Sequence, residues 1–128
     1  MISLQQDASS RTPAVELDSE KGIFVLQGES YPEDITGFFG PVRVALNDVL
    51  EQINKPLNVD IKLVYFNSSS ARVLMEIMDQ MEEKASEGIE INVRWSCNPD
   101  DDITREFAED ISEDLTAINF TIIDEVIS

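Results

Sequence analysis

The chain has 128 residues, of which 42% are hydrophobic, and this is enough for one domain with its own core. Acidic residues outnumber basic ones by 26 to 9, and the formal net charge of −17 argues against nucleic acid or an anionic membrane as a partner. Histidine is absent and Cys97 is the sole cysteine, which excludes histidine-based catalysis, an intrachain disulfide and most transition-metal sites.

The N-terminal residues 1–11 show no periodicity and are predicted to form a flexible lead-in to a single domain over residues 12–128. The start of the chain lacks the pattern of a signal peptide, and no apolar run is long enough to span a membrane. We therefore expect a cytoplasmic protein. Two apolar runs on either side of a turn with Gly22 predict a β-hairpin.

The first helix is predicted to begin at Ser30-Tyr31-Pro32-Glu33, where the serine and the glutamate have the spacing of a capping box. Gly40 and Pro41 are poor residues for a helix interior and predict a break or kink. Apolar side chains then recur at helical spacing over residues 42–53.

The next strand is predicted over residues 57–66, and its alternation assigns Leu63 and Tyr65 to one face and Phe66 to the other. An amphipathic helix follows over residues 69–86, with Met78 and Met81 in its apolar stripe. Residues 89–95 alternate strictly between apolar and polar side chains. This pattern indicates a strand with one buried face and one face open to solvent.

The acidic run Asp100-Asp101-Asp102 is interpreted as a turn that caps a helix over residues 103–115, in preference to a divalent metal site. A last strand is predicted over residues 118–122. The element order is β-β-α-β-α-β-α-β, which predicts an α/β fold with a mixed sheet of about five strands and helices mainly on one face.

The stretch Tyr65-Phe66-Asn67-Ser68-Ser69-Ser70-Ala71-Arg72 joins the most strand-like segment to the most amphipathic helix. Serine and asparagine are favoured helix N-caps, so capping is the simplest reading of this joint. Hydroxyls beside the unpaired N–H groups of a first helical turn can also hold an anion or receive a covalent phosphate.

Three motifs occur in an order that resembles the SiaC family of bacterial regulatory phosphoproteins. They are Thr12-Pro13, then Gly28-Glu29-Ser30-Tyr31-Pro32-Glu33, and finally Tyr65-Phe66-Asn67-Ser68-Ser69-Ser70. The resemblance covers the chain from Thr12 to the last strand. It implies a fold similar to STAS domains, the class of the anti-sigma-factor antagonists.

The resemblance also implies a function without catalysis, cofactor or metal. In this family the residue after the asparagine is usually a threonine that is phosphorylated, and that position is Ser68 here. A dedicated protein kinase adds the phosphate, and a PP2C-type phosphatase removes it. The unphosphorylated form binds and activates a diguanylate cyclase, which raises cyclic di-GMP and promotes biofilm formation.

The residues around Ser68 are candidates for contact with the partner. They are Asn67, Ser69, Ser70, Arg72 and Met75. Two alternatives stay open at this point: an anti-sigma-factor antagonist with the same fold and another partner, or a small nucleotide-binding domain that uses the serine-rich helix start to hold a phosphate.

Overall fold

The computed structural model describes residues 2–127, and Met1 and Ser128 lie outside the described residues. Six strands form one sheet in sequential order: β1 (Ser3–Gln6), β2 (Ala14–Asp18), β3 (Ile23–Ser30), β4 (Leu57–Phe66), β5 (Ile91–Cys97) and β6 (Asn119–Asp124). Three helices connect the last four strands: α1 (Ile35–Gln52), α2 (Ser68–Ser86) and α3 (Asp102–Glu113). None of the helices within residues 2–127 combines the length and the hydropathy that a membrane crossing needs.

The sheet is mixed, as the element order predicts. β1 pairs antiparallel with β2, and β2 with β3. β3, β4, β5 and β6 then pair in parallel, each joined to the next by one helix, because parallel neighbours need a crossover connection. The predicted α/β fold is confirmed, with six strands in place of about five.

The additional strand lies in the segment that the sequence marks as a flexible lead-in, and that prediction is wrong for Ser3–Gln6. β1 pairs along its whole length with β2, so that Leu4 faces Leu17. The amide of Ile2 also donates to Ser19 Oγ at 2.8 Å. A short polar strand such as this has little signal of its own, and its order comes from the strand beside it.

The hydrophobic core lies between one face of the sheet and the three helices. The inward-facing positions of the strands alternate with less buried ones. The fully buried apolar residues on the sheet are Val15, Leu17, Phe24, Leu26, Leu57, Val59, Ile61, Leu63, Ile91, Val93, Trp95 and Cys97. The opposite face carries polar pairs instead, including Asn58, Asn92 and Asn119, whose side chains form a hydrogen-bonded ladder across three strands. All helices therefore cover one face, as predicted.

Helix α1 begins later than the predicted capping box. Its N-cap is Asp34, whose Oδ1 accepts from the amide of Gly37 at 3.0 Å. Ser30 is instead the last residue of β3 and is fully buried. The capping-box prediction is wrong because β3 extends beyond its apolar run as far as Ser30. This serine therefore ends a strand and does not cap a helix.

Of the predicted break or kink at Gly40 and Pro41, the break is wrong, since α1 is continuous through Pro41, and the kink stays a prediction. Pro41 has no N–H to donate to the carbonyl of Gly37. Gly37 and Pro41 are both exposed, so water can satisfy that carbonyl. The cost of the proline is therefore small enough for the helix to pass through it.

A register shift at the end of β4 reverses the predicted faces of two aromatic residues. Gly28 pairs with Leu63 whereas Glu29 pairs with Tyr65, so one residue of β4 is left without a partner. Gly28 has φ +121, a conformation that favours glycine. Beyond the shift, Phe66 packs on the core, and Tyr65 is 50% exposed.

Candidate functional site: the joint between β4 and α2

The predicted strand-to-helix joint is present, and α2 begins at Ser68, one residue before the predicted start. Because β3, β4, β5 and β6 run parallel, their carboxyl ends lie at one edge of the sheet. The joint therefore lies beside the end of β3, and open α/β sheets generally bind ligands at this edge.

Asn67 is the N-cap of α2, with extended backbone angles. Its Oδ1 accepts from the amide of Ser70 at 2.9 Å, and its own amide donates to the main-chain oxygen of Ser30 at 3.1 Å. A cap of this kind stabilises a helix by about 1 kcal/mol. Asn67 thus fixes where α2 begins and ties that point to β3.

The three serines of the joint have different environments. Ser68 and Ser69 are exposed, whereas Ser70 has 0% exposure. Ser70 Oγ donates to the main-chain oxygen of Ser30 at 2.9 Å and lies 2.8 Å from Ser30 Oγ. Ser70 is therefore a buried structural residue, and the expectation that it contacts a partner directly is corrected.

The exposed serines line a shallow groove of about 390 Å³ between α1 and α2. Its lining residues are Ile35, Thr36, Ser68, Ser69, Arg72, Val73 and Glu76. The amides of the first helical turn that Asn67 does not cap have no intrahelical acceptor. The groove thus combines three hydroxyls, one guanidinium, one carboxylate and the positive end of the α2 dipole.

Arg72 differs from the other basic residues of the chain. Of nine lysines and arginines, seven form ion pairs with carboxylates of residues 2–127. Lys55 donates to the main-chain oxygen of Glu20. Arg72 makes neither an ion pair nor a side-chain hydrogen bond with any residue that the structure describes. Its guanidinium is exposed and available to a ligand or partner.

Of the other predicted contact residues, Ser69 and Met75 lie on the surface, with Met75 49% exposed, and Asn67 is partly exposed. Met78 and Met81 are buried in the core, as their helical spacing predicts.

The sequence did not identify two exposed apolar positions at this edge of the sheet. Tyr65 packs edge-on against Tyr31, with ring centroids 5.7 Å apart, directly before the joint. Ile103 is 83% exposed in the first turn of α3, which follows the carboxyl end of β5. Ile103 lies two residues after the N-cap of α3.

The acidic turn caps α3, as the sequence indicates. Asp101 is the N-cap, and its carboxylate accepts from the amide of Thr104 at 3.0 Å and from the Thr104 hydroxyl at 2.7 Å. Cys97 ends β5 and is buried, and burial raises the pKa of its thiol. A nucleophilic thiolate at this position is therefore disfavoured.

Comparison with known proteins points to one family. The model of the SiaC family of regulatory phosphoproteins matches residues 6–125. An uncharacterized protein of Pseudomonas aeruginosa strain UCBPP-PA14 is 33% identical over 114 residues, which are 89% of this chain and 90% of that protein.

Solved structures of Pseudomonas aeruginosa proteins have the same fold. Apo-SiaC superposes with a TM-score of 0.87 at 33% identity, covering 96% of this chain and 99% of that chain. A chain in the crystal structure of the diguanylate cyclase SiaD in complex with its activator SiaC gives a TM-score of 0.89 at 32% identity, covering 95% and 99% of the two chains.

The mixed sheet with three helices on one face defines a small α/β domain with the same fold as apo-SiaC. The chain belongs to the SiaC family of regulatory phosphoproteins, because the family model covers most of its length. The resemblance drawn from the three sequence motifs is confirmed.

Proposed function

We propose that this protein is a phosphorylation-controlled activator of a diguanylate cyclase, and that it has no catalytic activity of its own. The observation that carries the proposal is the 32% identity and TM-score of 0.89 to a chain of the SiaD complex with its activator SiaC. The unmodified form binds and activates the cyclase, which raises cyclic di-GMP and promotes biofilm formation. The proposal places the protein in the cytoplasm, where it would bind the cyclase.

Ser68 is the proposed site of modification. It is exposed and directly follows the N-cap, whereas Ser70 is enclosed and its hydroxyl is bonded to Ser30. A protein kinase would transfer the γ-phosphoryl group of ATP to Ser68 Oγ, with loss of the hydroxyl proton and release of ADP. A PP2C-type phosphatase would restore the hydroxyl by hydrolysis and release inorganic phosphate.

The phosphate would change the affinity for the partner more than the stability of the fold. It adds about −1.5 to −2 charges at the start of α2, where the helix dipole favours negative charge by roughly 0.3–1 kcal/mol. A partner that covers Ser68 must remove water from this dianion, which costs several kcal/mol without a basic pocket. Each 1.4 kcal/mol weakens binding about tenfold. One phosphate can thus separate the two proteins.

The proposed contact surface comprises Asn67, Ser69, Arg72 and Met75, around Ser68. Met75 contributes exposed apolar area, and Arg72 contributes an unpaired charge among the described residues. The overall charge of −17 would speed association with a partner whose surface is basic outside the contact with Ser68 and Arg72.

The test measures cyclic di-GMP synthesis by the cognate cyclase with purified protein as activator. Ser68→Ala should activate whether or not kinase and ATP are present, and authentic phosphoserine at position 68 should lower the apparent affinity by at least tenfold. Ser86→Ala, at the far end of the same helix, is the matched control and should respond to kinase like the wild type. A cyclase that ignores the unmodified protein would overturn the proposal.

A further inference from the structure

We propose that Arg72 binds the phosphate of phosphorylated Ser68, so that the modified protein holds its own phosphate in an ion pair along the first turns of α2. This inference rests on the proposed function in one respect, namely that Ser68 is the residue that carries the phosphate.

The spacing of the two residues supports the pair. Ser68 and Arg72 are at positions i and i+4 of α2, and such residues lie on one face of a helix with Cβ atoms about 5–6 Å apart. Both line the groove between α1 and α2. A guanidinium can donate two parallel hydrogen bonds to phosphate oxygens, which suits this short separation.

The surrounding charges leave Arg72 available for this role. Glu76, one turn further along α2, is the other charged residue of the groove lining. Its Oε1 already accepts from Arg43 Nη1 at 2.9 Å, so the acid next to Arg72 has its own partner on α1. The other eight basic side chains each make an ion pair or a hydrogen bond with a described residue. Arg72, four residues after Ser68, makes neither.

The ion pair between the Ser68 phosphate and Arg72 changes the surface that is offered to the partner. In the unmodified protein Arg72 is exposed and offers donors to the partner's surface. In the phosphorylated protein the same donors are turned to the phosphate, and the exposed cation is neutralised. Phosphorylation would thereby remove one favourable contact at the same time as it adds a charged group.

The experiment measures the second ionisation of the phosphate by ³¹P NMR titration of the full chain with phosphoserine incorporated at position 68. A nearby guanidinium stabilises the dianion and lowers its pKa below the usual value of about 6. Replacing Arg72 by Gln should raise the titration midpoint by roughly 0.3–0.7 pH unit, and Arg72→Lys should fall between the two.

Arg94→Gln is the matched control, because it removes the same charge from the opposite face of the sheet, where Arg94 lies 3.9 Å from Asp60. Its midpoint should equal that of the wild type. Equal midpoints for wild type and Arg72→Gln, or an equal rise in Arg94→Gln, would overturn the pair.

A separate cyclase assay with phosphorylated and unmodified wild type tests the proposed function alone. If both forms activate equally while the midpoint still depends on Arg72, the pair stands and the proposed function is wrong.

Discussion

Ser70 and Ser30 share a buried pair of hydrogen bonds although 40 positions separate them in the chain. Ser70 Oγ donates its single proton to the main-chain oxygen of Ser30 at 2.9 Å. The contact between the two hydroxyl oxygens, at 2.8 Å, must therefore use the proton of Ser30. The start of α2 is thus locked to the end of β3 by a fully satisfied polar contact within the core.

The two serines should differ in their effect on stability. In Ser70→Ala the buried hydroxyl of Ser30 loses its acceptor and the main-chain oxygen of Ser30 keeps only the amide of Asn67, which costs about 1–3 kcal/mol for the buried group left unsatisfied. In Ser30→Ala the bond from Ser70 to the main chain survives, so the loss should be smaller. Urea denaturation followed by circular dichroism measures both, and Ser69→Ala is the exposed control. A larger loss in Ser30→Ala would contradict this assignment of donors.

Phosphorylation should map to Ser68 and spare Ser70. Ser68 is exposed, whereas Ser70 can reach a kinase only if the start of α2 unfolds. Incubation with the cognate kinase and ATP, followed by mass-spectrometric mapping, should place the phosphate on Ser68 and none on Ser70. Labelling of Ser69 with Ser68 untouched would refute the assignment.

The phosphorylated protein should keep its tertiary structure, and its only tryptophan can report this. Trp95 is fully buried, and its ring lies 6.4 Å from that of Phe66, which is two residues before Ser68. The emission maximum should therefore be the same with serine or phosphoserine at position 68, while the affinity for the cyclase falls. A red shift on phosphorylation would show that the modification loosens the core instead.

The N-terminal strand should contribute to stability, in contrast to a flexible lead-in. Deleting residues 1–6 removes the pairing of β1 with β2 and exposes Leu17 beside Leu4. The thermal midpoint should fall by several degrees, at about 4 °C for each kcal/mol lost. Leu4→Ala should reproduce part of this loss and the exposed Ser3→Ala should not. An unchanged midpoint in the deletion variant would mean that β1 is dispensable.

Glu82 should make stability depend on pH. Burial acts to raise the pKa of its carboxyl, but amide donors of Ala117, Thr116 and Ile118 outweigh this and hold the pKa below its ordinary value. A carboxyl whose pKa is lowered in the folded state stabilises the protein at pH values above its ordinary pKa of about 4.3. This stabilisation is lost as the pH falls through the pKa of the folded state.

Glu82→Gln should therefore be less stable than the wild type at pH 7, by no more than about 1 kcal/mol because solvent screens this partly exposed carboxylate, and the difference should shrink below pH 4. Glu83→Gln, at the neighbouring exposed residue, is the control. Urea denaturation at several pH values measures all three proteins. A difference that stays constant from pH 7 to pH 3 would show that the charge of Glu82 is not responsible.

The sequence by itself determined the alternation of strands and helices, the position of the serine-rich joint and the family. These features rest on local signals: apolar spacing in α2, strict alternation near β5, and Asn67 as a side chain that caps its own helix. A cap and an amphipathic stripe are properties of a few neighbouring residues, so they can be read without the partner elements.

The tertiary structure decided what neighbouring residues cannot encode. β1 is ordered by β2, and the register shift opposite Gly28 turns Tyr65 outward and Phe66 inward. The division of the three serines into two exposed residues and one buried residue also depends on Ser30, 40 positions away from Ser70. These outcomes arise from contacts between segments distant in sequence, because the pairing of strands and the burial of a side chain depend on which surface covers it.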